Sequence, residues 1–196
     1  SQTYQFRLFA SPVGPYFKGG VRPLVLRVCD LDRAAPRGTG HIKASLNYAM
    51  SLYALTEAHA LGYDENLYVD SATRTYVEET GGANIIFAEN EKRLVVPISA
   101  TILPSITRRS LTYIAREYLG LEVVERRVEL RELDRFAECG LCGTAAVISP
   151  VGKIVDHGRE IHYAGMGPVI TKLYDTLTGI QMGRLPAPDG WLTEID

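Results

Sequence analysis

The chain is predicted to pass from a glycine-bounded loop into a long helix at residues 38–48, which read GTGHIKASLNY. Tyr48 follows Lys43 by five residues, a little over one helical turn, so the two side chains start on neighbouring parts of the helix surface. A lysine held inward at such a junction loses its proton more easily and becomes a nucleophilic amine. A solvated helix lysine is the alternative, because lysines are seldom buried. Lys43 is therefore the first candidate catalytic residue.

The composition is that of an ordinary globular domain with a sizeable core. Of the 196 residues, 46% are hydrophobic, and the net charge is −2. Because charges of both signs are interspersed, nucleic acid is not expected as the main partner. No apolar run is long enough to cross a bilayer, so no membrane partner is expected either.

The three cysteines, Cys29, Cys139 and Cys142, do not suit a disulfide framework, which predicts a reducing compartment. A cytoplasmic location is expected, with a mitochondrial one as the alternative. Cys139 and Cys142 form a C-x-x-C pair with two functional interpretations: a redox pair, or half of a zinc site completed by His157 and His162. An apolar strand-like run between the two pairs argues against the zinc site, and no metal is expected.

Apolar periodicity predicts helices over residues 43–61, 103–119, 131–138 and 167–179. In the first helix, the buried stripe is expected to consist of Leu46, Ala49, Met50, Tyr53, Ala54, Ala58 and Leu61. Strands are predicted over residues 4–10, 24–29, 66–70, 74–77, 84–88, 93–97, 121–128 and 144–150, with 152–155 as a hairpin partner of the last. Such close spacing suggests antiparallel meanders. The fold class is therefore α+β, or a barrel-like, mainly antiparallel sheet with surrounding helices.

Three turns could present free backbone amides to an anion. Residues 105–107 open the second helix, where the first amides are unpaired and the helix dipole favours negative charge. Residues 143–144 offer a bare amide and a hydroxyl, and residues 38–40 offer a flexible glycine turn. Arg33 and Arg108 are the guanidinium candidates for a phosphate. Ordinary caps, turns and surface arginines are the alternative.

Two acids precede a Gly-Gly turn and an apolar strand at residues 78–84, which read EETGGAN. Because neighbouring strand residues point to opposite faces, one of Glu78 and Glu79 is expected to be buried. A buried carboxylate needs a cationic partner. The alternative is a pair of solvated acids at the end of a strand.

Taken together, these residues resemble the large, C-terminal domain of branched-chain amino acid aminotransferases, which are fold-type IV pyridoxal phosphate enzymes. The matching segments are Gly38-Thr-Gly-x-x-Lys43-x-x-x-Asn47-Tyr48, Glu79-x-Gly81-x-x-Asn84, Leu103-Pro-Ser-Ile-Thr107 and Cys142-Gly-Thr-Ala-Ala146. They stand in the family's order and spacing, and the resemblance covers nearly the whole chain.

The resemblance implies a role for each matching residue. Lys43 would be the Schiff-base lysine and proton shuttle, Tyr48 would bond the cofactor's ring oxygen, and Glu79 would pair with its pyridine nitrogen. The phosphate would be held by the amides of Ile106 and Thr107 and by Gly143 and Thr144, helped by Arg33. Ala145 would offer a backbone amide to the substrate carboxylate. The implied reaction transfers the amino group of leucine, isoleucine or valine to 2-oxoglutarate, in an enzyme expected to be a homodimer.

The resemblance also implies a domain organisation. Residues 1–11 would form the last strand of an N-terminal small domain, residues 12–20 the interdomain loop, and residues 21–196 the cofactor-binding large domain. Two alternatives stay open. One is a large domain without activity of its own, which binds pyridoxal phosphate weakly or serves as an assembly piece. The other is a different fold-type IV enzyme, a D-amino acid transaminase or an aminodeoxychorismate lyase. The family's redox C-x-x-C is not carried over, because its positions are Ala146 and Ser149 here.

Overall fold

The computed structural model of the protein describes residues 2–12 and 22–193. Within those ranges, the strands are β1 Leu24–Val28, β2 Glu65–Val69, β3 Val77–Thr80, β4 Asn84–Asn90, β5 Arg93–Pro97, β6 Glu122–Arg126, β7 Glu138–Gly143, β8 Val147–Asp156 and β9 Arg159–His162. The helices are α1 Ser45–Ala60, α2 Ile106–Glu117 and α3 Pro168–Gln181, and Leu130–Arg135 is a 3₁₀ helix. No described helix is long and apolar enough to span a membrane.

All nine strands belong to one sheet of order β3-β2-β1-β8-β7-β4-β5-β6, with β9 paired to β8. The pairs β1–β2, β1–β8 and β5–β6 are parallel, and the other five are antiparallel. The two ends of this order meet, since the amide of Val77 donates to the carbonyl of Val128 at 2.8 Å and Tyr76 bridges Glu129. The sheet therefore curls into a half-barrel with surrounding helices, which confirms the predicted fold class.

The hydrophobic core has two layers because the central strands are buried on both faces. Along β4, Ile85 and Phe87 belong to one buried cluster, whereas Ile86 and Ala88 belong to the other. This alternation follows from the two-residue period of a strand. The first cluster lies inside the curled sheet, where Phe87 stacks on Phe136 at 4.7 Å between ring centroids. The second packs the sheet against α2 and α3.

The face that α1 buries differs from the predicted stripe. Leu46, Met50 and Tyr53 are more than half exposed, as is Leu61, and the buried residues are Asn47, Ser51, Ala54 and Ala58. Small side chains let the helix lie close to β2. Ala54 and Ala58 of the predicted stripe are buried, whereas its large apolar residues occupy the neighbouring surface, so periodicity located the helix and only part of its buried side.

The hairpin predicted between residues 144–150 and 152–155 is wrong, because one strand, β8, runs through both segments. Its hairpin partner is β7, which was not predicted. Gly152 suggested a turn, but it lies within the strand. A Cβ there would come within 2.8 Å of the Cβ of Pro23, so the glycine allows close packing rather than a turn.

Three other predicted elements are displaced. The strand predicted over residues 74–77 lies at Val77–Thr80, because the carboxylate of Asp70 accepts the amides of Thr73, Thr75 and Tyr76 and holds a turn there. The helix predicted over residues 131–138 ends at Arg135, and Glu138 already belongs to β7. The strand predicted over residues 4–10 is not observed, since this segment is exposed and pairs with no described strand. The predicted interdomain loop falls, from residue 13 on, outside the described residues.

Candidate active site

A cavity of about 480 Å³ opens where the loop before α1, the β3–β4 turn, the start of α2 and the β7–β8 turn meet. Eight of the nine predicted site residues line it: Arg33, Lys43, Tyr48, Glu79, Ile106, Gly143, Thr144 and Ala145. The ninth, Thr107, follows Ile106 in the first turn of α2. The fold thus gathers residues from four distant parts of the sequence, in a volume typical of cofactor pockets.

The lysine and the tyrosine meet at the edge of this cavity. The Nζ of Lys43 donates to the Oη of Tyr48 at 3.3 Å and lies 5.2 Å from the centre of its ring. Lys43 precedes α1 by two residues and its side chain is exposed, so the inward, dehydrated lysine predicted from the sequence is not observed. The inward-facing side chain at this junction is that of Asn47.

Asn47 attaches the glycine loop to α1. Its side-chain amide donates to the carbonyls of Thr39 and Ile42, at 2.8 and 2.9 Å, and only 4% of the residue is exposed. Gly40 in this loop approaches the backbone so closely that a Cβ would lie 2.3 Å from the carbonyl oxygen of Thr101. These contacts set the position from which Lys43 projects.

Glu79 is a buried carboxylate with three donors. Its Oε1 lies 2.9 Å from the Nη2 of Arg33 and accepts the amide of Leu103 at 2.9 Å, and its Oε2 accepts the side-chain amide of Asn84. Burial raises the pKa of Glu79 to about 7, although the Arg33 guanidinium and the Leu103 amide both lower it. The predicted cationic partner of a buried acid is therefore present within the chain, as Arg33.

Both acids of the Glu78–Glu79 pair are buried, where the sequence predicted one. The guanidinium of Arg33, a candidate for the phosphate, donates to the carbonyl of Thr101 and pairs with Glu79. The positive charges of Arg33 and Arg108 both act on Glu79 and lower its pKa against the effect of burial. A cationic N–H donor of a ligand would be a further partner for this carboxylate.

The opposite wall of the cavity offers free backbone amides. Ser105 caps α2, and its Oγ accepts the amide of Arg108 at 3.2 Å. The first amide that bonds back along the helix is that of Arg109, to the carbonyl of Ser105. Within the described part of the chain, the amides of Ile106 and Thr107 therefore remain for another acceptor, at the positive end of the helix dipole.

The β7–β8 turn supplies the other side of this wall. Gly143 pairs with Val147, and Thr144, Ala145 and Ala146 form the turn between them. Val147 has φ of +53°, which a β-branched residue adopts only where its surroundings enforce it. The turn residues Gly143 to Ala145 line the cavity beside the start of α2.

The two interpretations of the C-x-x-C pair do not survive in the fold. Cys139 and Cys142 are three apart on β7 and point to opposite faces, one into each buried cluster, so they cannot form a disulfide or share an ion. His157 and His162 are exposed near the β8–β9 hairpin. Burial also raises the pKa of the Cys142 thiol to about 12, which disfavours a reactive thiolate.

Sequence reasoning missed the donors that surround Glu79. Asn84 follows Glu79 across the Gly-Gly turn, and Thr80 bonds the carbonyl of Ala83 at 2.9 Å, so the chain returns at once and brings the two side chains together. The pair Gly81–Gly82 could have predicted this contact from the sequence, because it indicates a tight turn between the two side chains. The amide of Leu103 carried no signal, because it reaches Glu79 only through the fold.

Comparisons with known proteins place these residues in a family. The family described as Amino-transferase class IV matches residues 3–154. The branched-chain-amino-acid aminotransferases of Haemophilus influenzae and Helicobacter pylori are 45% and 42% identical over 97% and 98% of the chain, which spans 58% and 57% of their length.

Solved structures of such enzymes share the fold. The branched-chain amino acid aminotransferase of Escherichia coli matches with a TM-score of 0.82 at 28% identity, over 95% of this chain and 60% of its own. The enzyme of Thermobaculum terrenum, solved in its PLP form, matches with a TM-score of 0.75 at 34% identity, over 84% of this chain and 53% of its own. The chain therefore belongs to the class IV aminotransferases.

Proposed function

We propose that the protein is a pyridoxal phosphate-dependent aminotransferase for leucine, isoleucine and valine, with 2-oxoglutarate as amino acceptor. One observation carries this proposal: a single cavity joins an amine, a phenol, a buried carboxylate and free helix amides. The names of its relatives, and the cofactor in the Thermobaculum terrenum structure, support the substrate and cofactor classes.

The residues of the cavity suit this cofactor at both of its ends. A protonated ring nitrogen can donate to the buried carboxylate of Glu79, and a phosphate is an acceptor for the amides of Ile106 and Thr107. When bound, pyridoxal phosphate supplies an aldehyde that condenses with amines and a ring that accepts negative charge. Glu79 would accept the ring N–H, Tyr48 would bond the ring oxygen, and Thr144 would assist at the phosphate, whereas Arg33 is held at Glu79 and at the carbonyl of Thr101.

Lys43 holds the cofactor through its amine and then moves the proton of the reaction. Its Nζ would take the proton from the substrate's α-carbon as a base and would give it to the cofactor's C4′ carbon as an acid. The contact with Tyr48 keeps this nitrogen at the cavity. The backbone amide of Ala145, in the β7–β8 turn, binds the substrate carboxylate. We further propose that residues 21–196 form the cofactor-binding domain of a homodimeric enzyme, that residues 12–20 are the loop to a preceding domain, and that residues 1–11 become the last strand of that domain when they pair with its sheet.

The test replaces Lys43 in the full-length protein. Lys43→Ala should abolish the visible absorbance of the bound cofactor and lower the leucine–2-oxoglutarate transamination rate by at least about 10³-fold. Lys153→Ala is the matched control, because its amine pairs with Glu160 at the surface, 2.7 Å away. A Lys43→Ala protein that keeps its colour and rate would refute the assignment, and a wild-type protein without either would refute the function.

A second candidate is a domain that has no activity alone, and the exposure of Lys43 favours it for residues 1–196 in isolation. An amine open to solvent holds a cofactor less firmly than an enclosed one, so residues 1–196 should bind pyridoxal phosphate weakly and not turn over. Equal transamination rates for residues 1–196 and the full-length protein would exclude this candidate.

A further inference from the structure

Glu78, beside the site's carboxylate, has its own buried network on the opposite face of β3. Only 3% of the residue is exposed. Its Oε1 accepts the hydroxyl of Ser99 at 2.9 Å and the hydroxyl of Thr101. The two hydroxyl oxygens lie 2.8 Å apart, and the Oγ of Ser99 also accepts the amide of Thr101 at 3.2 Å. Glu78 thereby fixes the loop that follows β5.

The same loop holds the site from its other side. The carbonyl of Thr101 accepts the guanidinium of Arg33, and the amide of Leu103 donates to the Oε1 of Glu79 at 2.9 Å. Gly40, in the loop that leads to Lys43, packs directly on the carbonyl of Thr101. The Thr101 carbonyl thus contacts both Arg33, which pairs with Glu79, and Gly40, which lies in the loop before Lys43.

The loop spans residues 98–105 between the end of β5 and the start of α2. Its described backbone bonds lie near its two ends, where the amide of Ile98 donates to the carbonyl of Arg126 at 3.1 Å and the amide of Ser105 to the carbonyl of Leu103 at 2.8 Å, and between them side chains hold the backbone. A backbone in that situation depends on side-chain partners for its conformation. At its far end lie Ser105, the cap of α2, and the free amides of Ile106 and Thr107. A displacement at Thr101 would reach both ends of the cavity.

We propose that Glu78 is a positioning residue of the active site, which acts by clamping residues 98–105 through Ser99 and Thr101. It does not touch the cofactor. The loop that it clamps orients Glu79 and Arg33 and presents the amides at the start of α2. The inference rests on the proposed function, because the consequence measured is the affinity for pyridoxal phosphate.

Four variants of the full-length protein separate this role from a general loss of stability. Glu78→Ala removes the acceptor, and Thr101→Val removes one donor at nearly constant volume. Glu78→Gln keeps an oxygen that can accept both hydroxyls. Thr112→Val is the matched control, because Thr112 is a buried threonine of α2 that lies outside the loop.

Two measurements are made on the cofactor-free protein: hydrogen exchange of peptides that cover residues 98–105, and titration with pyridoxal phosphate. Glu78→Ala and Thr101→Val should exchange faster in this loop and bind the cofactor about tenfold more weakly, the effect of losing one charge-assisted hydrogen bond. The dissociation constants of Glu78→Gln and Thr112→Val for pyridoxal phosphate should stay within about twofold of wild type, which is about 0.4 kcal/mol in binding free energy.

Three outcomes would contradict the proposal. Unchanged exchange of residues 98–105 in both Glu78→Ala and Thr101→Val overturns the clamp, and so does faster exchange with unaltered cofactor affinity. If both Glu78 variants bind pyridoxal phosphate more weakly while Thr101→Val binds it as wild type does, the hydrogen-bond explanation is wrong. If Glu78→Ala does not fold, Thr101→Val decides. If wild type binds no pyridoxal phosphate, the proposed function fails, whereas the exchange data still decide whether Glu78 clamps the loop.

Discussion

Replacement of Arg33 by methionine tests the electrostatics of the site most directly. Arg33 and Glu79 are 5% and 3% exposed and lie 2.9 Å apart. Methionine keeps much of the side chain's length and removes the charge. The matched control is Arg93→Met, since Arg93 pairs with Glu122 at 2.8 Å on the surface, where both side chains are largely exposed.

The magnitude follows from the pKa of Glu79, which burial raises from the ordinary 4.5 to about 7 in the presence of Arg33. Because the folded state binds this proton more tightly than the unfolded chain, the unfolding free energy of wild type falls as pH rises from about 4.5 to about 7 and then levels off. Without Arg33, the pKa of Glu79 rises further and the fall continues. Above pH 7 the stability deficit of Arg33→Met relative to wild type should therefore grow by at most about 1.4 kcal/mol per pH unit, so that at pH 9 it exceeds the deficit at pH 6 by up to about 3 kcal/mol.

The assay is urea unfolding of the cofactor-free, full-length protein at pH 6, 7.5 and 9. At pH 6, the deficit of Arg33→Met should be about 1 kcal/mol, from the lost bond to the carbonyl of Thr101. Adding Glu79→Gln should remove the part of the deficit that depends on pH between 6 and 9, since the Glu79 carboxyl is no longer there to titrate. Arg93→Met should change stability by less than about 1 kcal/mol at every pH. A deficit of Arg33→Met that is constant between pH 6 and 9 would refute the reasoning.

Two further predictions concern the supports of the helices. Glu138 is buried and its carboxylate accepts the first amides of α3, those of Val169 and Ile170, at 3.1 and 2.8 Å. Glu138→Ala should therefore lower the unfolding free energy by about 2 kcal/mol and Glu138→Gln by about half as much, and equal losses in the two variants would contradict a capping role. Asn47→Ala removes two bonds to the loop before Lys43 and should cost about 1–3 kcal/mol while lowering kcat. A variant with the stability loss and wild-type kcat would show that the loop keeps its position without Asn47.

The sequence by itself determined most elements of secondary structure, because their signals are local. The stretch Arg93–Pro97 was predicted as a strand with the bounds observed. The first and second helices were also predicted, within two or three residues at each end. The resemblance to the branched-chain aminotransferases implied nine site residues, and eight of them line one cavity, at helix and strand ends. Backbone periodicity, capping and turns depend on neighbouring residues, so they can be inferred from sequence.

The tertiary structure alone decided which surfaces and partners these elements use. The predicted apolar stripe of α1 fits the helical period, but of its members the helix buries only Ala54 and Ala58, because small side chains allow close contact with β2. The pairing of Arg33 with Glu79, and of Glu78 with the loop after β5, joins residues that are distant along the chain. These contacts exist because the sheet curls until β3 meets the end of β6. Sequence periodicity records local geometry, whereas the identity of a buried charge's partner is set by the closure of the sheet.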